Sequence, residues 1–303
     1  MQETNNLFEE PWWLDIVAPG EWSEAVSRDK KGDIRARIAY VHHDKRVDMP
    51  PFTQTLGVWM RDELKKDYGA QKEVLYELFE EINRHKQITV RLAPENEYVL
   101  PFRWMGYHLE PWFTYRIAGL EDCGKLYGSF NKTAKKNIKS AKNKVTIHHE
   151  TDLNVLHALL DKTFEVQGRK NPMPKEVIRR IVETCDRDGH GQYMDARDKE
   201  GNVHSCAYFV YDDKVCYYLL GASDTQFRSS GAQSLILWEG IQMAAGKSRA
   251  FDFEGSMVEG IENFFRQFGG RCIPYYEVRK NGVCGDLMAV MKPRVKKIMG
   301  YKI

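Results

Sequence analysis

Displaced by 163 positions, the chain matches itself. "FRWMGYHLEPWFTYR" (102–116) falls on "FRQFGGRCIPYYEVR" (265–279) without a gap, and Phe102, Arg103, Gly106, Pro111 and Arg116 meet Phe265, Arg266, Gly269, Pro274 and Arg279. Five identities in fifteen exceed the roughly one that chance gives, and similarity at a fixed offset marks a repeated structural unit. Trp112-Phe113 and Tyr275-Tyr276 put two aromatics after the proline in both copies. Upstream, "ITVRLA" (88–93) overlays "FDFEGS" (251–256), and Val74, Leu75, Leu78 and Ile82 overlay Leu237, Trp238, Ile241 and Ala245. "QTLGVW" lies near "YYLLGA" with one inserted residue. Each copy therefore reads strand, helix, strand, short helix, strand. The fold class is α/β with mixed sheets, as two tandem domains of one fold, 1–120 and 121–303, joined near Gly119–Ser129.

The copies differ at one point that matters. Thr89 and Arg91 stand in the first where Asp252 and Glu254 stand in the second. In an extended segment Phe251 and Phe253 fall on one face and the two acids on the other. Ile261, Phe264, Phe265 and Phe268 then recur at helical spacing, with Gly269 at a left-handed C-terminal cap. Two carboxylates are thus expected at a strand end beside a loop and a helix start, the edge where open α/β sheets bind ligands. The competing reading is that they cap the helix or pair with Arg266 or Lys247.

Elsewhere "DIRARIAYVHH" reads as a strand of the first domain, "TDLNVLHALLDKTFEVQ" and "PKEVIRRIVETC" as helices, and "GQYMDARD" with "VHSCAYFVYDD" as a hairpin. "DDKVCYYLLGAS" is a further strand, and "VRKNGVCGDLMAVM" a last hairpin with an Asn-Gly turn. Trp12 and Trp13 read as core. Apolar residues are 42% and charged residues 29%, which suits a soluble globular protein. A net charge of +2 gives no global field toward nucleic acid, so any polyanion must be met by a local patch. The acidic start "MQETNNLFEEPWW" argues against a signal peptide, and no apolar run approaches the ~20 residues of a membrane span. Cys123, Cys185, Cys206, Cys216, Cys272 and Cys284 form no C-x-x-C pair, so reduced thiols and a cytoplasmic location are expected. His42-His43 and His148-His149 point to opposite faces of their strands, and no metal site is expected.

"NKTAKKNIKSAKNKV" (131–145) follows the domain join. Lys132, Lys135, Lys136, Lys139 and Lys142 fall within about 120° on a helical wheel, opposite Ala134, Ile138, Ala141 and Val145. One face packs and the other offers ammonium groups suited to a polyanion: tRNA, a nucleotide diphosphate or an anionic lipid surface. A solvated face without ligand is the plain alternative.

The paired units, the lysine helix, "CYYLLGAS" leading into "GAQSLILWEGIQMAAG", "FDFEGS" and "FFRQFGG" together resemble the Fem-type peptidoglycan-bridge aminoacyltransferases and the related BioF2-like acyltransferases, built on the GNAT fold. The resemblance covers most of the chain, is strongest over 217–278, and includes "PPFTQTLGVW". It implies two GNAT-like domains and an N-acyltransferase that moves an acyl or aminoacyl group onto an amine of a cell-wall, envelope or polysaccharide precursor. The implied co-substrate is acyl-CoA or aminoacyl-tRNA, with no tightly bound cofactor. The implied partners are a small-molecule, lipid-linked or nucleotide-linked acceptor and tRNA, without DNA and with at most peripheral membrane contact. GNAT enzymes hold pyrophosphate with [QR]-x-x-G-x-[GA]; here Arg228 and Gly231 fit, whereas Gln233 stands where a small residue belongs.

Under that resemblance Asp252 or Glu254 deprotonates the amine, Tyr218 donates a proton, Arg266 holds a phosphate or steadies the oxyanion, and backbone N–H groups near Leu219–Gly221 form the oxyanion hole. Arg266 stands where the family commonly has lysine. Thr53, Gln54, Thr55 and Trp59 line an acceptor cleft. Lys135, Lys136, Lys139, Arg228, Gly231 and Ser256 bind substrate. A non-catalytic RNA-binding module and a degenerate GNAT scaffold are the alternative readings.

Overall fold

The computed structural model describes residues 3–166 and 168–281. Along the chain run α1 (Pro11–Val17), β1 (Trp22–Arg28), β2 (Ile34–His43), β3 (Arg46–Asp48), β4 (Trp59–Met60), α2 (Tyr68–Ile82), β5 (Gln87–Arg91), α3 (Leu100–Trp104) and β6 (His108–Ala118). Then come α4 (Cys123–Ser129), α5 (Lys132–Lys142), β7 (Thr146–His148), α6 (Leu153–Glu165), α7 (Lys175–Asp188), β8 (Gly191–Arg197), β9 (Val203–Tyr211) and β10 (Val215–Ser223). The last are α8 (Ala232–Ala245), β11 (Ala250–Asp252), α9 (Glu259–Phe265) and β12 (Arg271–Lys280). The expected closing hairpin falls largely beyond Asn281, outside the described residues. No helix among those described is long and apolar enough to cross a membrane.

Two compact units result, one made of the described residues up to Pro111 together with those from Tyr275, the other of the described residues of Trp112–Pro274. The chain passes between units inside strands, at two prolines that the 163-residue offset superposes, and not at the 119–129 join. The physical reason is strand exchange. The far half of β6 pairs with β11, with Phe251 opposite Ile117 and Asp252 opposite Arg116. The far half of β12 pairs with β5, with Ile88 opposite Lys280 and Thr89 opposite Arg279. These registers coincide under the same offset. Each copy therefore lends its last strand to the unit built by the other.

In the first unit β1, β2 and β3 form an antiparallel run, β3 pairs parallel with β5, and short β4 pairs with β2. Val74, Leu75, Leu78 and Ile82 are buried along α2 as their spacing predicts. "QTLGVW" contributes only Trp59 to the two-residue β4, so here the repeat does not extend to a long strand. In the second unit β7, β8, β9 and β10 are successively antiparallel, and β10 is parallel to β11. α8 is apolar around most of its circumference and buries Leu235, Ile236, Leu237 and Ile241. Such side chains stabilise a core by about 2 kcal/mol each. Gly240 admits the Phe209 ring, which a methyl there would meet at 2.4 Å.

Candidate active site

β10 and β11 pair only over Val215–Tyr217 and Ala250–Asp252. β11 stops there, while β10 continues to Ser223 along β9. The edge of residues 218–223 that faces β11 has no ladder partner among the described residues. On the β9 side the pairing steps from Tyr218–Phe209 to Leu220–Tyr208, so Leu219 is an extra residue. A bulge shifts the alternation of side chains by one. It brings Tyr218, Gly221 and Ser223 onto one face, over the partners Phe209, Ala207 and Ser205.

These side chains form a polar chain with Gln233 of α8. Gln233 Nε2 donates to the Tyr218 hydroxyl at 2.5 Å, and Ser223 Oγ donates to Gln233 Oε1 at 2.9 Å. Ser205 Oγ lies 2.8 Å from Ser223 Oγ. The phenol leans over Gly221, where a methyl would sit 1.6 Å from its oxygen, so this position requires glycine. Burial pushes the Tyr218 phenol above its ordinary range. Tyr217, on the other face, is core at 1% exposure, and Tyr218 is half-buried.

Asp252 is fully buried. It accepts from Thr114 Oγ1 at 2.5 Å, from Arg116 Nε at 2.9 Å and from the Glu254 backbone N–H at 2.7 Å. The expectation of two carboxylates on an open rim is thereby corrected. Asp252 is sealed by β6, and only Glu254 sits in the turn, half-buried, with φ 58°. The Asp252 carboxylate holds that left-handed turn by taking its N–H. Ser256 accepts from the Val258 N–H at 3.0 Å. In α9, Glu262 accepts from the Tyr115 hydroxyl at 2.5 Å, and this bond, with burial, pushes the Tyr115 phenol up to about 12. Arg266 is exposed, pairs with Glu262 at 3.3 Å and donates to Asn263. Phe265 and Phe268 are core, but Ile261 of the expected apolar stripe is exposed, because only the last turn of α9 packs inward.

Between β10 and α8 a 3-10 turn, Thr225–Ser230, ends at Gly231 with φ 81°. Arg228 is exposed on it. Gly231 touches α5 so closely that a methyl would meet the Asn137 carbonyl oxygen at 2.5 Å. Lys144 Nζ, two residues past α5, donates to the Ser229 carbonyl at 3.4 Å, so α5 and the residues just after it brace this turn. α5 itself starts where Asn131 Oδ1 accepts the Ala134 N–H, and it buries Ala134, Ile138 and Ala141. Lys132, Lys136, Lys139 and Lys142 are exposed. Lys135 is not part of that free face, since its Nζ donates to the Gly128 carbonyl at 2.6 Å and lies 6.0 Å from the Tyr127 ring.

In the first unit Thr53, Gln54 and Thr55 are at most 5% exposed and do not line an open cleft. Thr53 accepts from Trp13 Nε1 at 3.0 Å and Thr55 from Asn6 Nδ2 at 3.1 Å, so both hydroxyls secure the N-terminal segment. Trp59 is half-buried with the Arg37 guanidinium 6.0 Å from its ring. Gln233, Ser223 and Ser205 were not singled out as site residues from sequence. Gln233 stood out only as a misfit in the phosphate-loop pattern, and the bulge that gathers the three has no mark in sequence beyond Gly221.

Three antiparallel strands, a helix, and a parallel strand that parts from a bulged neighbour thus come together in the second unit. Residues 128–266 match the family model described as "Acetyltransferase (GNAT) domain". In fold the chain is similar to FemX, with TM-score 0.65 at 14% identity over 91% of this chain and 96% of that one. It is similar to L-PGS from Bacillus licheniformis, with TM-score 0.54 at 12% identity over 99% and 100%. A tandem GNAT protein from the clavulanic acid biosynthesis pathway gives TM-score 0.54 at 11% identity over 86% and 83%. No curated protein sequence matches the chain. In fold the chain is thus similar to a tandem GNAT protein, and the family match lies within the second unit.

Proposed function

We propose that the chain carries an acyl or aminoacyl group from a thioester or aminoacyl ester to an amine, in the opening where β10 leaves β11. The observation that carries this reading is the bulged edge at Leu219 with the Tyr218 hydroxyl over Gly221. Backbone N–H groups of 219–221 are the oxyanion donors, each such donor being worth about a hundredfold in rate or more. Glu254 takes the proton of the attacking amine. The amine nitrogen adds to the acyl carbon, the tetrahedral oxyanion collapses, and Tyr218 returns a proton to the departing thiolate or ribose oxygen. Asp252 acts by holding the Glu254 turn. Arg266, exposed at the end of α9, holds a donor phosphate.

Exposed Lys132, Lys136, Lys139 and Lys142 beside the α5-braced turn support a polyanionic donor, which both acyl-CoA and aminoacyl-tRNA satisfy. The fold likeness to FemX and L-PGS supports an acceptor amine on an envelope precursor or lipid. The test is to offer the purified chain acyl-CoA and charged tRNA with amino-sugar, peptide and lipid-linked amines. Transfer is expected with one donor class, and Glu254→Gln and Tyr218→Phe are each expected to lower turnover by about a hundredfold. No transfer from any donor, or unchanged turnover in both variants, would overturn it.

A further inference from the structure

We infer that Gln233 is a positioning residue that fixes the direction in which Tyr218 offers its hydrogen, with Ser223 and Ser205 setting the sense of the Gln233 amide. The inference rests on the proposed role of Tyr218 but concerns a property of the folded protein that can be read without turnover.

An amide side chain has a donor end and an acceptor end, so a residue bridging two hydroxyls imposes opposite roles on them. Here Nε2 donates to Tyr218 and Oε1 accepts from Ser223. Ser223 uses its own hydrogen on Gln233 and takes the Ser205 hydroxyl as its donor, across 2.8 Å. Read from Ser205, every hydrogen points toward Tyr218. The phenol oxygen receives one hydrogen from Gln233, and its own O–H is left to point elsewhere. Because the ring lies over Gly221, that direction is toward the bulged backbone of 219–221 and the opening beside it. A phenol held in this sense is a donor to a bound acyl group or leaving atom. In the reverse sense it would direct its hydrogen at Gln233 and have none to give.

This gives a physical reason for the glutamine at a position where a small residue is expected. A small side chain in the first turn of α8 leaves room for a phosphate against the helix start. Gln233 instead turns its side chain to β10, and the bulge aligns Tyr218, Gly221 and Ser223 to meet it. The motif and the bulge are therefore one device.

The sign of a titration shift tests it. Incorporate 2,3,5-trifluorotyrosine at 218, whose fluorines bring the phenol's titration into the range a folded protein tolerates, and follow phenolate absorbance in the full chain. A donor bonded to the phenol oxygen favours the phenolate, whereas an acceptor favours the phenol. Gln233→Leu should therefore raise the titration midpoint by about one pH unit, as loss of a hydrogen bond to a charged group does. Gln233→Glu, which can only accept when ionised, should raise it further. Ser223→Ala, which frees the amide to turn, should raise it less. Circular dichroism identifies any variant that has not folded, and Ser223→Ala serves if Gln233→Leu fails.

A midpoint that falls in Gln233→Leu and Ser223→Ala, or does not move in any variant, overturns the inference. If the midpoints shift as stated while no donor supports transfer, the proposed reaction falls and the polarised chain stands. Where transfer is measurable, Gln233→Glu should lower kcat with KM little changed, and an unaltered kcat would overturn the positioning role.

Discussion

Arg116 Nε donates to the buried Asp252 at 2.9 Å across the β6–β11 ladder, and at the same register in the other unit Arg279 faces Thr89. The first unit has a buried acid too, but on the opposite strand. Glu277, 2% exposed, accepts from Arg91 at 3.0 Å and pairs with Arg279. Under the 163-residue offset Glu277 corresponds to Thr114 and Arg91 to Glu254. Each unit thus closes its exchanged strand with a carboxylate–arginine cluster, and the sign at each site has been traded between strands. That both units contain the cluster argues that Asp252 fastens the exchanged strand and does not itself react.

Asp252→Asn is therefore expected to act on stability first. Removing one partner of a buried pair leaves an uncompensated charge, at a cost of about 3–5 kcal/mol. A thermal melt should fall by roughly 10 °C for a unit of this size. Glu254→Gln, half-buried and outside the pair, should melt within about 2 °C of the parent. Equal melting temperatures for Asp252→Asn and the parent would show the pair to be unimportant for folding.

Gly231→Ala tests whether the turn before α8 is braced by α5. The substitution meets a positive φ of 81° and a backbone oxygen at 2.5 Å, neither of which a flexible side chain can yield to. It should cost about 2 kcal/mol or more, with faster amide exchange at Ser229–Ala232 and around Asn137. Gly246→Ala, with φ −93° and its nearest atom at 3.7 Å, is the control expected to change little. Similar exchange rates in both variants would contradict the brace.

Much of this was legible in the sequence, for reasons that also mark where legibility ends. α5 was readable because Ala134, Ile138 and Ala141 recur at one period, after an asparagine that caps. The strand exchange was not legible in the repeat, which shows that both copies end alike but not which unit their last strands join. The fates of Asp252, Thr53 and Thr55 were not legible. A polar side chain in a strand gives no sign of whether its partner is solvent, as an open rim requires, or Thr114, Trp13 and Asn6, which arrive from distant sequence. The bulge at Leu219 was equally silent, and it decides which β10 residues share a face.

The lysine face gives a salt dependence with a residue-level signature. If a polyanion lies along exposed Lys136 and Lys139, reversing each to Glu should weaken tRNA binding and reduce the slope of log K against log salt by about 0.7 or more per contact. Lys135→Glu should differ in kind. Its ammonium is committed to the Gly128 carbonyl and the Tyr127 ring, so it should lower the melting temperature more than Lys136→Glu does, and change the slope less. Filter-binding isotherms from low to moderate salt, alongside melts, separate the two. Identical slopes in the parent and in the Lys136 and Lys139 reversals would remove tRNA as the polyanion on this face.

Glu9 predicts a pH dependence of stability in the N-terminal segment. It is buried, accepts from Asn5 N at 3.0 Å and from Asn5 and Asn6 Nδ2, and burial pushes its carboxyl from 4.5 to about 7. A folded pKa above the unfolded one means that the folded state holds the proton more tightly. The associated stability is fully present below pH 4.5 and is lost as the pH rises through 7. The difference of about 2.5 pH units corresponds to roughly 3 kcal/mol as an upper figure. Burial raises Glu24 and Asp212 in the same sense, so the slope of the parent alone does not isolate Glu9. The difference between parent and Glu9→Gln does. Urea midpoints at fixed pH between 4.5 and 8 should show the variant gaining on the parent steadily up to pH 7 and then running parallel. Curves parallel throughout would mean that Glu9 titrates alike in the folded and unfolded chain. In that case the Asn5 and Asn6 contacts would hold it as a carboxylate, and the N-terminal segment would carry no proton-linked stability from this residue.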